Sequence, residues 1–140
     1  MNIEPMFEKE LKALREAVTL IPADKWKQGL NEYLIPARLY YHIFIGLEWF
    51  INTKDPEEHK RTRKYNLNWM DTVDPMPDQP TALKDIDWLE DRIKDRIATA
   101  AQSGEDLSSK AVYFVRHTRH HFGELAAVMR LLGIKRPKWE

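Results

Sequence analysis

The chain has no cysteine, five glycines and three serines among its 140 residues. Without cysteine there are no disulfides, no thiolate nucleophile, no cysteine-ligated zinc and no iron–sulfur cluster. This agrees with a reducing, cytoplasmic setting. Ser103, Ser108 and Ser109 crowd in or beside one turn, and no G-x-S-x-G is present. A serine hydrolase is therefore not expected. The glycines stand singly, so there is no phosphate-cradling loop and no dinucleotide fingerprint. Charge of neither sign is in excess: 22 Lys and Arg balance 22 Asp and Glu. No overall field then favours nucleic acid or an anionic membrane, and neither is an expected partner. The first ten residues are acidic and periodic, unlike a secretory signal. The longest apolar run, Leu39 to Ile51, is interrupted by His42 and Glu48. It is shorter than the roughly 20 residues that cross a bilayer.

What is present is helical periodicity, in a length that suits one domain with one core, over residues 1–140. Phe7, Leu11, Leu14, Val18 and Ile21 recur at helical spacing and predict a first helix over Ile3–Ile21, ended by Pro22. Ala23 to Leu34 reads as a connection. A second helix is predicted from Pro36 to Asn52, with proline at a first-turn position where its missing N–H costs nothing. Thr53 to Pro80 is a long connection. Structureless loops of that length are uncommon, so a short helix around Glu57–Trp69, or a lid, is expected within it. The connection carries a basic cluster from His59 to Lys64, read as solvated surface, although it could bind an anion. A third helix spans Ala82–Ala101, with Thr81 as its N-cap and a stripe of Leu83, Ile86, Leu89, Ile93 and Ile97. The last runs from Ser108 to Leu132, with Ser108 or Ser109 as N-cap and Gly133 as stop. No strand-like alternation and no repeat is found. The expected fold is all-α, a four-helix bundle with a long connection between its second and third helices.

Two histidines, His117 and His121, stand one turn apart on the last helix and project about 40° apart. They share a face with Phe114, Leu125, Val128 and Leu132, so both point towards the core. His42 lies on the apolar face of the second helix, with Gly46 one turn on leaving room beside it. A bare H-x-x-x-H is more often a pair of hydrogen-bonded core histidines than a metal site. The third histidine shifts that balance. Three imidazoles form a known zinc set with an open position, and also suit nickel, copper or iron. H-E-x-x-H is absent. The E-x-x-H pairs of di-iron bundles are absent too: Leu39, Pro56, Phe114, His117 and Thr118 stand three before the five histidines. Glu124 lies about 20° from His117 on the same inward stripe. It could orient a ligating imidazole, coordinate directly, act as a catalytic base, or pair with an arginine at the edge of the core. Glu48 falls about 120° from His42 and reads as solvated, His59 as surface and His120 as a flank or interface residue.

Taken together, Tyr-Tyr-His42-Ile, His117-x-x-x-His121-Phe-Gly123-Glu124-Leu and the tail Leu-Leu-Gly133-Ile-Lys-Arg-Pro137-Lys-Trp139 resemble the DinB/YfiT-like superfamily of metal-dependent four-helix-bundle proteins. The resemblance covers nearly the whole chain. It implies a cytoplasmic bacterial protein, often a homodimer, with His42, His117 and His121 as ligands of Zn²⁺ or Ni²⁺. It further implies a small-molecule substrate and a transferase or isomerase using a low-molecular-weight thiol such as bacillithiol, mycothiol or glutathione. A metal-dependent hydrolase and a non-enzymatic, stress-associated metal-binding bundle are the alternatives. The family commonly has Gln where this chain has Glu124.

Overall fold

A computed structural model of the chain describes residues 2–135. Six helices follow one another: α1 Glu4–Leu20, α2 Ala23–Trp26, α3 Pro36–Ile51, α4 Pro56–Thr62, α5 Gln79–Ser103 and α6 Ser108–Leu131. Among the described residues there is no strand. The four long helices close into a bundle. α1 packs on α5 and α6, and α3 packs on the same two from the other side. The α3–α6 contact is the most extensive.

Each end of a long helix has a local cause. The carboxylate of Asp78 accepts from the Thr81 N–H at 3.0 Å, so α5 starts at Gln79, earlier than the predicted Ala82. Pro80 sits in its first turn, where proline is tolerated. Thr81 is inside the helix and is not its cap. Gln79 then reaches across to the end of α1, donating from Nε2 to the carbonyl of Val18 at 2.9 Å and to that of Ile21. It satisfies acceptors that the helix itself leaves bare. Gly104 ends α5 at φ 75°, the left-handed conformation that glycine adopts without strain. At the start of α6 the N-cap position is Leu107, not Ser108 or Ser109, and the Ser108 N–H is taken by the carboxylate of Asp106 at 2.9 Å. Gly133, at φ 74°, stops α6 as expected, with Ile134 N–H returning to the carbonyl of Met129. Arg136 to Glu140, with the Pro137 and Trp139 of the tail motif, lie outside the described residues.

The predicted stripe of α1 is buried throughout: Phe7, Leu11, Leu14, Val18 and Ile21 are all within 2 % of full burial. Burial of such side chains stabilises by about 1.5–3 kcal/mol each. The connections carry more helix than the one expected around Glu57–Trp69, and that one ends early, at Thr62. α2 and α4 are short helices within them, and Asp55 caps α4 by accepting from the N–H groups of Glu57 and Glu58. Trp26 donates its indole N–H to the carbonyl of Pro77 at 2.8 Å. Arg38, 6 % exposed, donates to the carbonyls of Trp69 at 2.6 Å and Asp71 at 2.7 Å. These bonds fasten residues 63–78 against the bundle.

Two expectations fail because of this covering. Glu48 is 3 % exposed, not solvated, since the Lys64 backbone N–H lies over it and donates to its Oε2 at 3.0 Å. His59 is 6 % exposed and packs on the Trp49 ring at 4.2 Å. No helix among the described residues is long and apolar enough to cross a membrane.

Candidate metal centre

α3 presents His42, and α6 presents His117 and His121 one turn apart on the face that packs against α3. The three rings meet. Centroids of His42 and His121 are 4.2 Å apart, those of His117 and His121 4.6 Å, and those of His42 and His117 4.8 Å. Ligand nitrogens from all three lie within 4.8 Å of one another. The closest approach is between the Nε2 atoms of His42 and His117, at 3.2 Å. The three histidines that the sequence singled out are thus brought together between α3 and α6.

Gly46 is what allows it. A Cβ there would stand 2.7 Å from Nδ1 and 2.8 Å from Cε1 of His117. The space that Gly46 leaves on α3 is thus filled by the ring of His117 from α6, rather than by its neighbour His42. An alanine at 46 would have to push that ring aside.

Burial governs the protonation of two of the rings. It pushes His42 down to about 3, with the neighbouring His121 and His117 rings adding to the effect. His117 is lowered as well, first by burial and then by His121 and His120. Both are neutral at pH 7 and have a lone pair to offer. Their Nδ1 atoms are buried without a hydrogen-bond partner among the described residues.

His121 is held differently. Its Nδ1 meets Oε1 of Glu124 at 2.5 Å. The same oxygen accepts from the Tyr33 hydroxyl at 3.1 Å. Burial and the bond to Glu124 push the Tyr33 phenol up to about 12, so it stays a donor. A carboxylate on Nδ1 fixes that nitrogen as the N–H and leaves Nε2 free. Glu124 therefore contacts a histidine and a tyrosine, and among the described residues it makes no salt bridge to an arginine. His120 is the flank residue expected, 71 % exposed in its side chain and 3.9 Å from Glu124.

His120, His121 and Glu124 form a second set with metal-ligand atoms in reach. It fits a cation less well. Its 2.5 Å contact is a hydrogen-bond length, whereas two donors each about 2.0–2.1 Å from one tetrahedral ion stand about 3.4 Å apart. The 3.2 Å between the Nε2 atoms of His42 and His117 is close to that spacing.

Tyr33 and Trp69 complete the surroundings, and the sequence did not single out either as part of the site. The Trp69 ring lies 4.1 Å from that of His42 at 31°, and Tyr33 meets Trp69 edge-on at 5.4 Å. Both come from connections, where no periodicity marks an inward residue. The other side of His117 lines an open groove of about 740 Å³ along α6, shared with Tyr113, Arg116 and His120.

Comparison with the known protein families, with characterised proteins and with solved structures finds no match.

Proposed function

We propose that His42, His117 and His121 hold one divalent cation, Zn²⁺ or Ni²⁺, and that the chain is a metal-dependent enzyme of the DinB/YfiT-like kind. The observation that carries this reading is the 3.2 Å approach of two neutral, half-buried imidazole nitrogens. Two Nε2 lone pairs facing each other repel unless a proton or a cation lies between them. A cation serves all three rings at once, and a proton serves two.

A divalent ion there supplies Lewis acidity and lowers the pKa of a thiol or water. The chain's own residues supply the rest. Glu124 holds His121 in one tautomer, Tyr33 holds Glu124, and Trp69 covers His42 from the connection. Glu124 is thus a positioning residue in this reading.

The proposed reaction is transfer of a low-molecular-weight thiol. The thiol gives its proton to solvent, its sulfur bonds to an electrophilic carbon, and the leaving group departs from that carbon with the electron pair. The chain has no cysteine of its own, so the sulfur comes from a cosubstrate. The resemblance also carries a homodimer. Tyr113, 63 % exposed, and His120 lie on the open side of α6, and sedimentation at micromolar concentration tests that association.

Elemental analysis of the purified protein tests the metal. About one divalent ion per chain is expected, with tight binding lost in the His117→Ala/His121→Ala double variant. Full occupancy in that variant overturns the site. Turnover of 1-chloro-2,4-dinitrobenzene that requires both metal and glutathione or bacillithiol supports the transferase. Metal-dependent turnover that persists without thiol would instead favour the hydrolase, and a metal-loaded protein with neither activity would favour the non-enzymatic bundle.

A further inference from the structure

A second polar cavity, of about 630 Å³, opens between the C-terminal end of α3, α4 and the middle of α5. It shares no lining residue with the histidine cluster. Its size is that of a small-molecule site, typically about 300–1,000 Å³. Five cationic side chains line it: Lys54, Arg63, Lys64, Arg92 and Arg96. Only two carboxylates do, Glu48 and Asp95. Part of this charge is answered from outside the lining, since Lys64 pairs with Asp85 at 2.9 Å and Arg96 with Glu105 at 2.7 Å. Lys54, Arg63 and Arg92 have no carboxylate at salt-bridge distance among the described residues.

Two of the lining residues are buried polar groups with a nitrogen to spare. Arg96 is 8 % exposed with Nε unpartnered, and His59 is 6 % exposed with Nε2 unpartnered. The wall beside them is aromatic. Lys64 Nζ stands 4.8 Å from the Trp88 ring centre and the Arg92 guanidinium 5.5 Å from it. Lys and Arg heads held over a ring stay at the cavity instead of sweeping through solvent. Five cations thus stand around one concavity, and three of them, Lys54, Arg63 and Arg92, make no salt bridge among the described residues.

We propose that this cavity binds a phosphate group, free or carried by a small organic molecule. Arginine forks suit tetrahedral oxyanions, and Lys54 adds a point charge at the rim. The basic stretch 59–64 is divided by this arrangement. His59, Arg63 and Lys64 line the cavity, while Lys60 and Arg61 are exposed outside it.

Titration of ¹⁵N-labelled protein with inorganic phosphate, at ionic strength held constant with sodium chloride, tests the proposal. Saturable shifts are expected at the backbone amides of residues 54, 63, 64 and 92. Arg63→Gln/Arg92→Gln should weaken the fitted Kd by about tenfold or more. Arg92 is exposed on a helix, so Arg92→Gln alone keeps the test sound if the double variant does not fold. A linear, non-saturating response overturns the proposal, and so does an affinity unchanged in Arg92→Gln. Repeating the titration with a phosphate monoester separates the two sources: tighter binding than phosphate assigns the site to an organic phosphate, equal binding to the free ion.

Discussion

The histidine cluster between α3 and α6 and the carboxylate cluster beneath residues 63–78 both place polar groups among apolar side chains, but they satisfy them differently. In the carboxylate cluster the chain answers itself at every oxygen but Glu48 Oε1, which is buried without a hydrogen-bond partner among the described residues. Asp85, 2 % exposed, receives Lys64 Nζ at 2.9 Å and the Tyr65 hydroxyl, and Lys64 also donates its backbone N–H to Glu48. In the histidine cluster the rings answer one another. Two Nε2 atoms approach to 3.2 Å, and the Nδ1 atoms behind them find no partner among the described residues. A buried charge recruits opposite charge because leaving it alone costs several kcal/mol. Neutral imidazoles cost less, about 1–3 kcal/mol per unmet group. A site kept ready for a ligand can bear that smaller cost.

The difference can be broken at either side. Asp85→Ala should have the largest effect on stability, about 2–3 kcal/mol. This is below the usual cost of breaking a buried pair, because Lys64 is already about a third exposed and can turn to water. Urea denaturation measures it, and metal content should not change. If metal is lost with it, the two clusters are not independent.

Gly46→Ala should act in the opposite sense. Overpacking costs about 1–3 kcal/mol, and here the strain falls on the ring of His117. Metal affinity, measured by competition with a chelator, should fall by about 10–100-fold, with a smaller change in the stability of the metal-free protein. Affinity equal to wild type would show that His117 is not a ligand.

Glu124 sharpens the contrast further. Glu124→Ala should cost about 10–100-fold in metal affinity by releasing His121. Glu124→Gln should cost much less, because its amide oxygen still accepts the ring N–H. A full loss of turnover in Glu124→Gln with metal retained would make Glu124 a base rather than a positioning residue.

The smallest expected effect belongs to Glu48. Burial raises its pKa above the ordinary value, although the Lys64 N–H and the charges of Arg63 and Lys64 pull the other way. A carboxyl with a raised pKa in the folded chain binds its proton more tightly there, so stability is lost as pH rises through the folded pKa. Glu48→Gln does not titrate. It should therefore raise Tm at pH 7 by the equivalent of roughly 1 kcal/mol, and the gain should shrink towards pH 4. An equal gain at both pH values would show that ionisation of Glu48 is not the cause.

What could be read from the sequence follows the same line. The three histidines were legible because each stands on a helix with a clear apolar stripe, and a wheel angle places such a residue without knowledge of its partners. The all-helical bundle was legible for the same reason. Glu48 and His59 were not. The wheel put Glu48 on the outer side of α3, and that side is covered by residues 63–64, which no periodicity within α3 can reveal. Tyr33 and Trp69 were hidden similarly, since each reaches the site from a connection. The start of α5 was placed late because Pro80 read as the end of a loop rather than as a first-turn residue. Local pattern assigns a face to each helix, and the covering of that face is a long-range fact.

Arg38 shows a different economy. It grips the 63–78 segment through main-chain oxygens of Trp69 and Asp71, not through their side chains. Every residue has such an oxygen, so the grip is blind to what stands at 69 and 71. The segment can change its side chains, and with them whatever rests against His42, without losing its anchorage. The fixed requirement is transferred to one arginine some thirty positions earlier in the chain. Both bonds leave from one guanidinium nitrogen, Nη1, whose two hydrogens are held in fixed directions by the planar group, whereas a lysine ammonium turns freely on its stem. Variation over the site and constancy of its attachment are thereby written at separate places in the sequence.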